Sequence, residues 1–178
     1  MKNNIIEAIQ VFNQGGIVIF PTDTAFGIGC RVDNEVAIQR LYTIRKRPLT
    51  QASSLLVANV DMAKEYLTGL PNDVTERLVK SFWPGGLTIV LQSRTDKIPD
   101  LVRGGGDTIG IRMPDHTELL SIITGVGVPI LGPSANFHGE KTPFRQQDLN
   151  PELIRQVDYV VEGICKQNQA STVIDCTT

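Results

Sequence analysis

The sequence predicts an α/β protein: one domain over residues 1–178, built as a twisted, mixed, open sheet with helices packed on it. Three observations predict this class. Segments with helical apolar spacing alternate with short runs rich in β-branched residues. Several of those runs follow one another with no helix between, which favours a mixed sheet over a purely parallel one. No repeat, low-complexity tract or long linker divides the 178 residues, and a globule of that size buries roughly 70% of the surface its unfolded chain exposes.

The elements follow in order. Ile5, Ile6, Ile9 and Phe12 recur at helical spacing, with Asn3 or Asn4 as a cap and Gly15-Gly16 as a stop. Residues 17–20 form a first strand, ended by Pro21. A helix spans 34–44 with Val36, Ile38, Leu41 and Tyr42 as its apolar positions. It leads into Arg45-Lys46-Arg47 and Pro48, which disfavours further helix. Residues 53–59 read as strand, 61–70 as a helix closed by Gly69, and 73–82 as a helix ended by Trp83-Pro84-Gly85-Gly86. Trp83 reads as a core residue. A strand at 87–92 precedes a polar loop carrying Gly104-Gly105-Gly106, and 109–114 is the next strand. A helix at 116–124 starts on His116, residues 128–132 form a strand, and 139–150 is loop. A short helix at 152–157 and strands at 159–163 and 171–176 complete the chain.

Composition excludes several classes. Apolar content is 41%, charged content 20% and net charge −2, so no whole-protein basic field draws in nucleic acid. Cys30, Cys165 and Cys176 are odd in number and lack CxxC spacing, which argues against a disulfide framework or zinc knuckle. No apolar run approaches the ~20 residues of a membrane span, and residues 1–16 lack a leader pattern. The expectation is a cytoplasmic protein away from membranes. No GxxxxGK[ST] is present, the triple glycine fails GxGxxG at Ile109, and GPSAN lacks the second glycine of GxSxG. His116 and His138 form no metal-ligand pattern, so no protein-held metal is expected.

Three polar islands remain, each beside a predicted strand end. Thr22, Asp23 and Thr24 offer two hydroxyls and a carboxylate to a small polar ligand, or make an ordinary turn. Arg45, Lys46 and Arg47 suit phosphate oxygens, or a solvated helix C-terminus. Ser134 and Asn136, two residues apart in an extended segment, would face one side and share a phosphate or ribose. The alternative is a turn with local backbone bonds. Arg112 is a weaker candidate.

In this order the segments PTDTAFGIGC, LYTIRKRP, FWPGGLTIVL, IGIRMPDH, GPSANFHG and STVID span residues 17–175. Together they resemble the YrdC-type threonylcarbamoyl-AMP synthase family. The resemblance implies helices around a twisted mixed sheet with a positively lined concave cavity. It implies an enzyme that joins L-threonine, bicarbonate and ATP into L-threonylcarbamoyl-adenylate and pyrophosphate. A separate transferase complex would then modify tRNA.

The family's KxR…SxN set falls on Arg45, Arg47, Ser134 and Asn136 at the nucleotide, joined by Arg112. Arg45 and Arg47 would supply the catalytic charge neutralisation. The threonine pocket falls on Thr22, Thr24, Phe26, Ser171 and Thr172. Mg²⁺ would arrive with ATP, held by phosphates and water. The sequence departs from the family pattern at Arg45 (usually lysine), Phe26 (usually tyrosine), Gln51-Ala52-Ser53 (usually containing lysine) and His138 (usually serine). Relatives usually continue past Thr178 through an arginine-containing segment. An RNA-binding module, with weak affinity for tRNA or double-stranded RNA, or an inactive paralogue is the alternative reading.

Overall fold

The structure, a computed structural model, describes residues 2–177. Its elements are α1 (Lys2–Asn13), β1 (Val18–Phe20), β2 (Gly27–Gly29), α2 (Glu35–Arg45), β3 (Leu55–Leu56), α3 (Val60–Tyr66), α4 (Asn72–Val74), a π-helical stretch (Thr75–Val79) and α5 (Lys80–Phe82). Then follow β4 (Leu87–Gln92), α6 (Asp100–Arg103), β5 (Thr108–Arg112), α7 (Thr117–Val126), β6 (Ile130–Leu131), a 3₁₀ turn (Gln146–Asp148), α8 (Pro151–Ile154), β7 (Tyr159–Val160) and β8 (Thr172–Asp175).

The strands form two ladders, ordered β2-β1-β7 and β6-β3-β5-β4-β8. Each mixes directions: β1 runs antiparallel to β2 and parallel to β7, while β3 and β4 each have one parallel and one antiparallel partner. The mixed sheet is as expected. The ladders are stitched where residues 26–32 run antiparallel to 129–135. Ala135 N–H donates to Phe26 O (2.9 Å), Ile28 N–H to Pro133 O (2.9 Å), Leu131 N–H to Cys30 O (2.9 Å) and Val32 N–H to Pro129 O (3.1 Å). Gly29 permits this approach, since a Cβ there would lie 1.9 Å from the Leu131 carbonyl oxygen. Burial raises the pKa of Cys30, on this stitch, to about 12, so the thiol is an inert packing group.

Both sheet faces are covered, because side chains alternate along each strand. Val18 and Phe20 of β1, with Leu56 and Ile130, pack against α1 and α7 through Ala8, Phe12, Leu119, Ile122 and Ile123. Ile17 and Ile19 face the other cluster, with Ile28, Leu41, Tyr42, Leu55, Ile89 and Ile111. Full burial of one such side chain is worth about 1.5–3 kcal/mol.

Several boundaries differ from the sequence reading. Helix α1 already includes Asn3 and Asn4, so neither stands before it as a cap. Helix α2 is capped by Asn34, whose side chain accepts from Ala37 N–H, and ends at Lys46 in the left-handed conformation (φ 53°). Helix α3 ends at Leu67, which bridges to Ser93, so Gly69 closes nothing. Gly104 caps α6 in the left-handed conformation. His116 does start α7, its Nδ1 accepting from Leu119 N–H at 3.3 Å. Trp83 is core, donating from Nε1 to Leu87 O at 2.7 Å.

The Gly29 contact yields a test. The Gly29→Ala variant should lose at least about 2 kcal/mol, because Cβ meets backbone that cannot rotate away. For a chain of this size that lowers the thermal midpoint by about 4–8 °C. A variant melting within a degree of wild type would show that the stitch tolerates separation.

Candidate functional site

Pro21 ends β1, and the next residues fold back on themselves before β2 begins. The Thr22 hydroxyl donates to Ala25 O (2.7 Å) and accepts from the N–H groups of Thr24 (3.0 Å) and Ala25 (3.1 Å). It is therefore committed to holding the turn. Thr24 Oγ1 lies 3.0 Å from Thr22 Oγ1 and accepts from Arg112 Nη1 at 2.8 Å.

Arg112, at the end of β5, is buried and forms an ion pair with buried Asp23. Its Nε donates to Gly85 O at 3.0 Å. Burial pulls the guanidinium pKa below its ordinary value, and the Asp23 carboxylate offsets part of that loss. The sequence reading put Arg112 on the nucleotide. The structure groups it with Thr22 and Thr24 instead, because parallel pairing of β5 with β3 carries Arg112 to the mouth of the β1–β2 turn.

The cationic cluster after α2 is not a cluster in space. Lys46 turns left-handed and lies over the Phe137 ring, 4.8 Å from its centroid. Arg47 is directed to the surface, its Nε donating to Gln51 O at 3.2 Å and its Nη2 to Ala52 O. Arg45 is buried. Its Nε donates to Asn136 O (3.1 Å), its own carbonyl accepts His138 N–H (2.8 Å), and its Nη1 has no partner among the described residues. Burial, with a smaller contribution from Arg47, lowers its pKa to about 10.

The 134–136 segment also departs from expectation. Asn136 N–H bonds back to Ser134 O at 2.9 Å, so the backbone bends and strand alternation does not apply. The Asn136 amide donates to Phe137 O (3.1 Å) and Glu140 O (2.8 Å), while its Oδ1 is buried without a partner among the described residues. Ser134 stays at the bridge to Gly27. Asn136 and Arg45 brace the loop, and neither lines a cavity beside Ser134.

Two adjoining cavities result. The smaller, about 170 Å³, is lined by Thr22, Thr24, Phe26, Arg112, Thr142 and Ser171, among others. The larger, about 330 Å³, is lined by Arg47, Ser53, Thr88, Val90, Gly110 and Val173, among others. Ser54, Pro133 and Ser134 belong to both and form the threshold between them. The Ser53 hydroxyl at the larger cavity is buried with no partner among the described residues. Ser171 accepts from Thr88 Oγ1 at 3.2 Å, which ties the last strand to the site. Thr172 faces the other way and lines a separate outer groove.

Five of the residues singled out in the sequence therefore reach the smaller cavity besides Arg112: Thr22, Thr24, Phe26, Ser134 and Ser171. Arg47 reaches the larger. Ser54 and Thr142 were missed, since an isolated hydroxyl in a predicted strand or loop carries no signal. Asp23 was noted only as a turn carboxylate. Its pairing with Arg112, 89 residues away, comes from the fold.

The chain is similar to known proteins in both sequence and fold. The sequence profile of the Sua5/YciO/YrdC family, described as "Telomere recombination", matches residues 10–178. A Bacillus subtilis protein named threonylcarbamoyl-AMP synthase is 32% identical over 89% of this chain, which spans 46% of that protein. A Vibrio cholerae protein of the same name is 32% identical over 92% of this chain and 87% of its own length. The P. abyssi Sua5 structure complexed with L-threonine superimposes with a TM-score of 0.90 at 31% identity, covering 96% of this chain and 50% of that one. The chain thus spans about half the length of two of these relatives.

The buried pair gives the test. Asp23→Ala leaves the Arg112 charge buried and uncompensated, at a cost of about 3–5 kcal/mol. Adding Arg112→Met should recover at least half of that loss in urea denaturation. A double variant no more stable than the single would show that the two charges are uncoupled.

Proposed function

This chain belongs to the Sua5/YciO/YrdC family, and on that premise we propose that it acts, as one YrdC-like domain over residues 1–178, as an L-threonylcarbamoyl-adenylate synthase. The observation that carries the reading is the pair of adjoining cavities sharing Ser54, Pro133 and Ser134. A small polar chamber beside an open trough suits an amino acid that must meet a nucleotide at one point.

In this reading the smaller cavity takes L-threonine, and Arg112 presents its guanidinium to the carboxylate. The amino group then combines with bicarbonate, losing water, to give a carbamate. The carbamate oxygen attacks the α-phosphorus of ATP at the Ser134 threshold, and pyrophosphate leaves from the trough on the Arg47 side. The nucleophile is already an anion, so the protein's work is positioning and charge neutralisation, not proton abstraction. Thr22 shapes the chamber through its turn, Thr24 and Ser171 offer hydroxyls, and Phe26 closes the floor. Arg47 can leave the Gln51 and Ala52 carbonyls to meet phosphate oxygens.

Mg²⁺ would enter on the triphosphate, held by phosphate oxygens and water. Among the described residues no three His, Cys, Asp or Glu side chains gather at one point to hold a metal. The product is a mixed anhydride, and a transferase acting on tRNA would consume it. No helix among the described residues is long and apolar enough to cross a membrane, and a cytoplasmic setting suits an ATP-using step in tRNA modification.

The test is pyrophosphate release from ATP, Mg²⁺ and bicarbonate, with and without L-threonine. Release that requires both bicarbonate and threonine is the expected result, and its absence would sink the reading. In the same assay Arg47→Ala should lower turnover at least tenfold, about 1.4 kcal/mol in the barrier. Near-normal turnover would remove Arg47 from the phosphates.

A further inference from the structure

The Asp23 carboxylate has two occupants. One oxygen pairs with Arg112, and the other accepts from Gln167 Nε2 at 3.4 Å. The contact is doubled in the backbone, where Gln167 N–H donates to Asp23 O at 2.8 Å. Gln167 lies in the irregular segment between β7 and β8. Asn168 follows in the left-handed conformation (φ 51°), and Ala170 and Ser171 then form one wall of the smaller cavity. That wall is held at its far end by the Thr88–Ser171 contact and by Thr172 N–H to Gly86 O (2.9 Å). The Gln167 side chain also lies against the Gly85–Gly86 turn, close enough that a Cβ on Gly86 would sit 3.1 Å from Gln167 Oε1. Gly85 O is in turn the acceptor of Arg112 Nε.

From this geometry we infer that Gln167 is a positioning residue for the amino-acid chamber, acting through Asp23 and never touching substrate. It fixes the near end of the 168–171 wall, and by occupying one Asp23 oxygen it sets how that carboxylate meets Arg112. Glutamine suits the role, because its amide donates to a carboxylate without adding charge. A glutamate there would set two carboxylates against each other. The consequence is selective. Loosening this end of the wall opens the smaller cavity and leaves the Arg47 trough intact, since no residue of 167–171 lines that trough.

The inference rests on the synthase reading, and its test separates the two. Gln167→Ala and Gln167→Glu are compared with wild type in the threonine-dependent pyrophosphate assay and in limited proteolysis. The proteolysis follows trypsin cleavage after Lys166, an exposed residue beside the anchor. For Gln167→Ala the expected result is a roughly fivefold or greater rise in KM for L-threonine, with kcat and KM for ATP within about twofold of wild type. Cleavage after Lys166 should be roughly threefold faster or more, with an unchanged thermal midpoint. Gln167→Glu should show both effects at least as strongly. Unchanged cleavage overturns the anchoring, and faster cleavage with unchanged threonine KM overturns the positioning role. A parallel rise in both KM values, or a lowered midpoint, also overturns it by pointing to general damage. A wild-type chain that releases no pyrophosphate sinks the synthase reading, while the proteolysis still decides whether Gln167 holds the wall.

Discussion

The constraint on which the rest of this structure depends is the close antiparallel approach of residues 26–32 to 129–135. It joins two short ladders into one twisted surface, and it does so where neither side has room for a side chain at position 29. Part of the lining of both cavities is positioned from that line. The turn from Thr22 to Phe26 leads into one end of it, and Ser134 leaves the same end. Ser54 is held there too, because its carbonyl accepts the Gly132 N–H at 3.0 Å. Four backbone hydrogen bonds at about 0.5–1.5 kcal/mol each are a modest contribution. Their importance is geometric, since they fix the spacing of groups drawn from distant parts of the chain.

Electrostatics are arranged by separation. Three arginines that a linear reading would pool occupy three environments. Arg112 is neutralised in the interior by Asp23 and is kept in orientation by a carbonyl and a hydroxyl. Arg45 is desolvated, has no counter-charge among the described residues, and braces a turn through backbone carbonyl contacts. Arg47 is near solvent, resting on two carbonyls it can leave. A residue held by an ion pair in a dry setting is rigid, and one resting on neutral acceptors at the surface is free to be recruited by an anion. The difference follows from how α2 ends. One left-handed residue, Lys46, turns the chain so that its neighbours point apart.

The fold was legible where periodicity was strong: α1, α2, α7, β4 and β5 all lie where the apolar spacing puts them. β2 was invisible, because Gly27, Ile28 and Gly29 read as part of a turn and become a strand only through their partners. In the site, hydroxyls next to a strand end were good guides, and Thr22, Thr24, Ser134 and Ser171 all line the smaller cavity. Ser134 and Asn136 were expected to share a side because strands alternate, but a bend between them removes the premise. Ser171 lines the smaller cavity, whereas Thr172, the first residue of β8, lines the outer groove. Arg112 sits with Asp23 and Thr24 because its neighbours depend on strand order, which no local pattern encodes.

Strand β8 is an edge. Among the described residues it pairs with β4 alone, and all four of its residues are exposed, Val173 at 62%. Yet Ser171, just before it, walls a chamber whose opposite side is built by Thr22, about 150 residues earlier. The smaller cavity therefore takes part of its wall from the residue that leads into an edge strand. Opening of such an edge costs less than global unfolding and precedes it. A ligand held between these walls would tighten the last strand, and loosening of the strand would open the chamber while the remaining core is still intact.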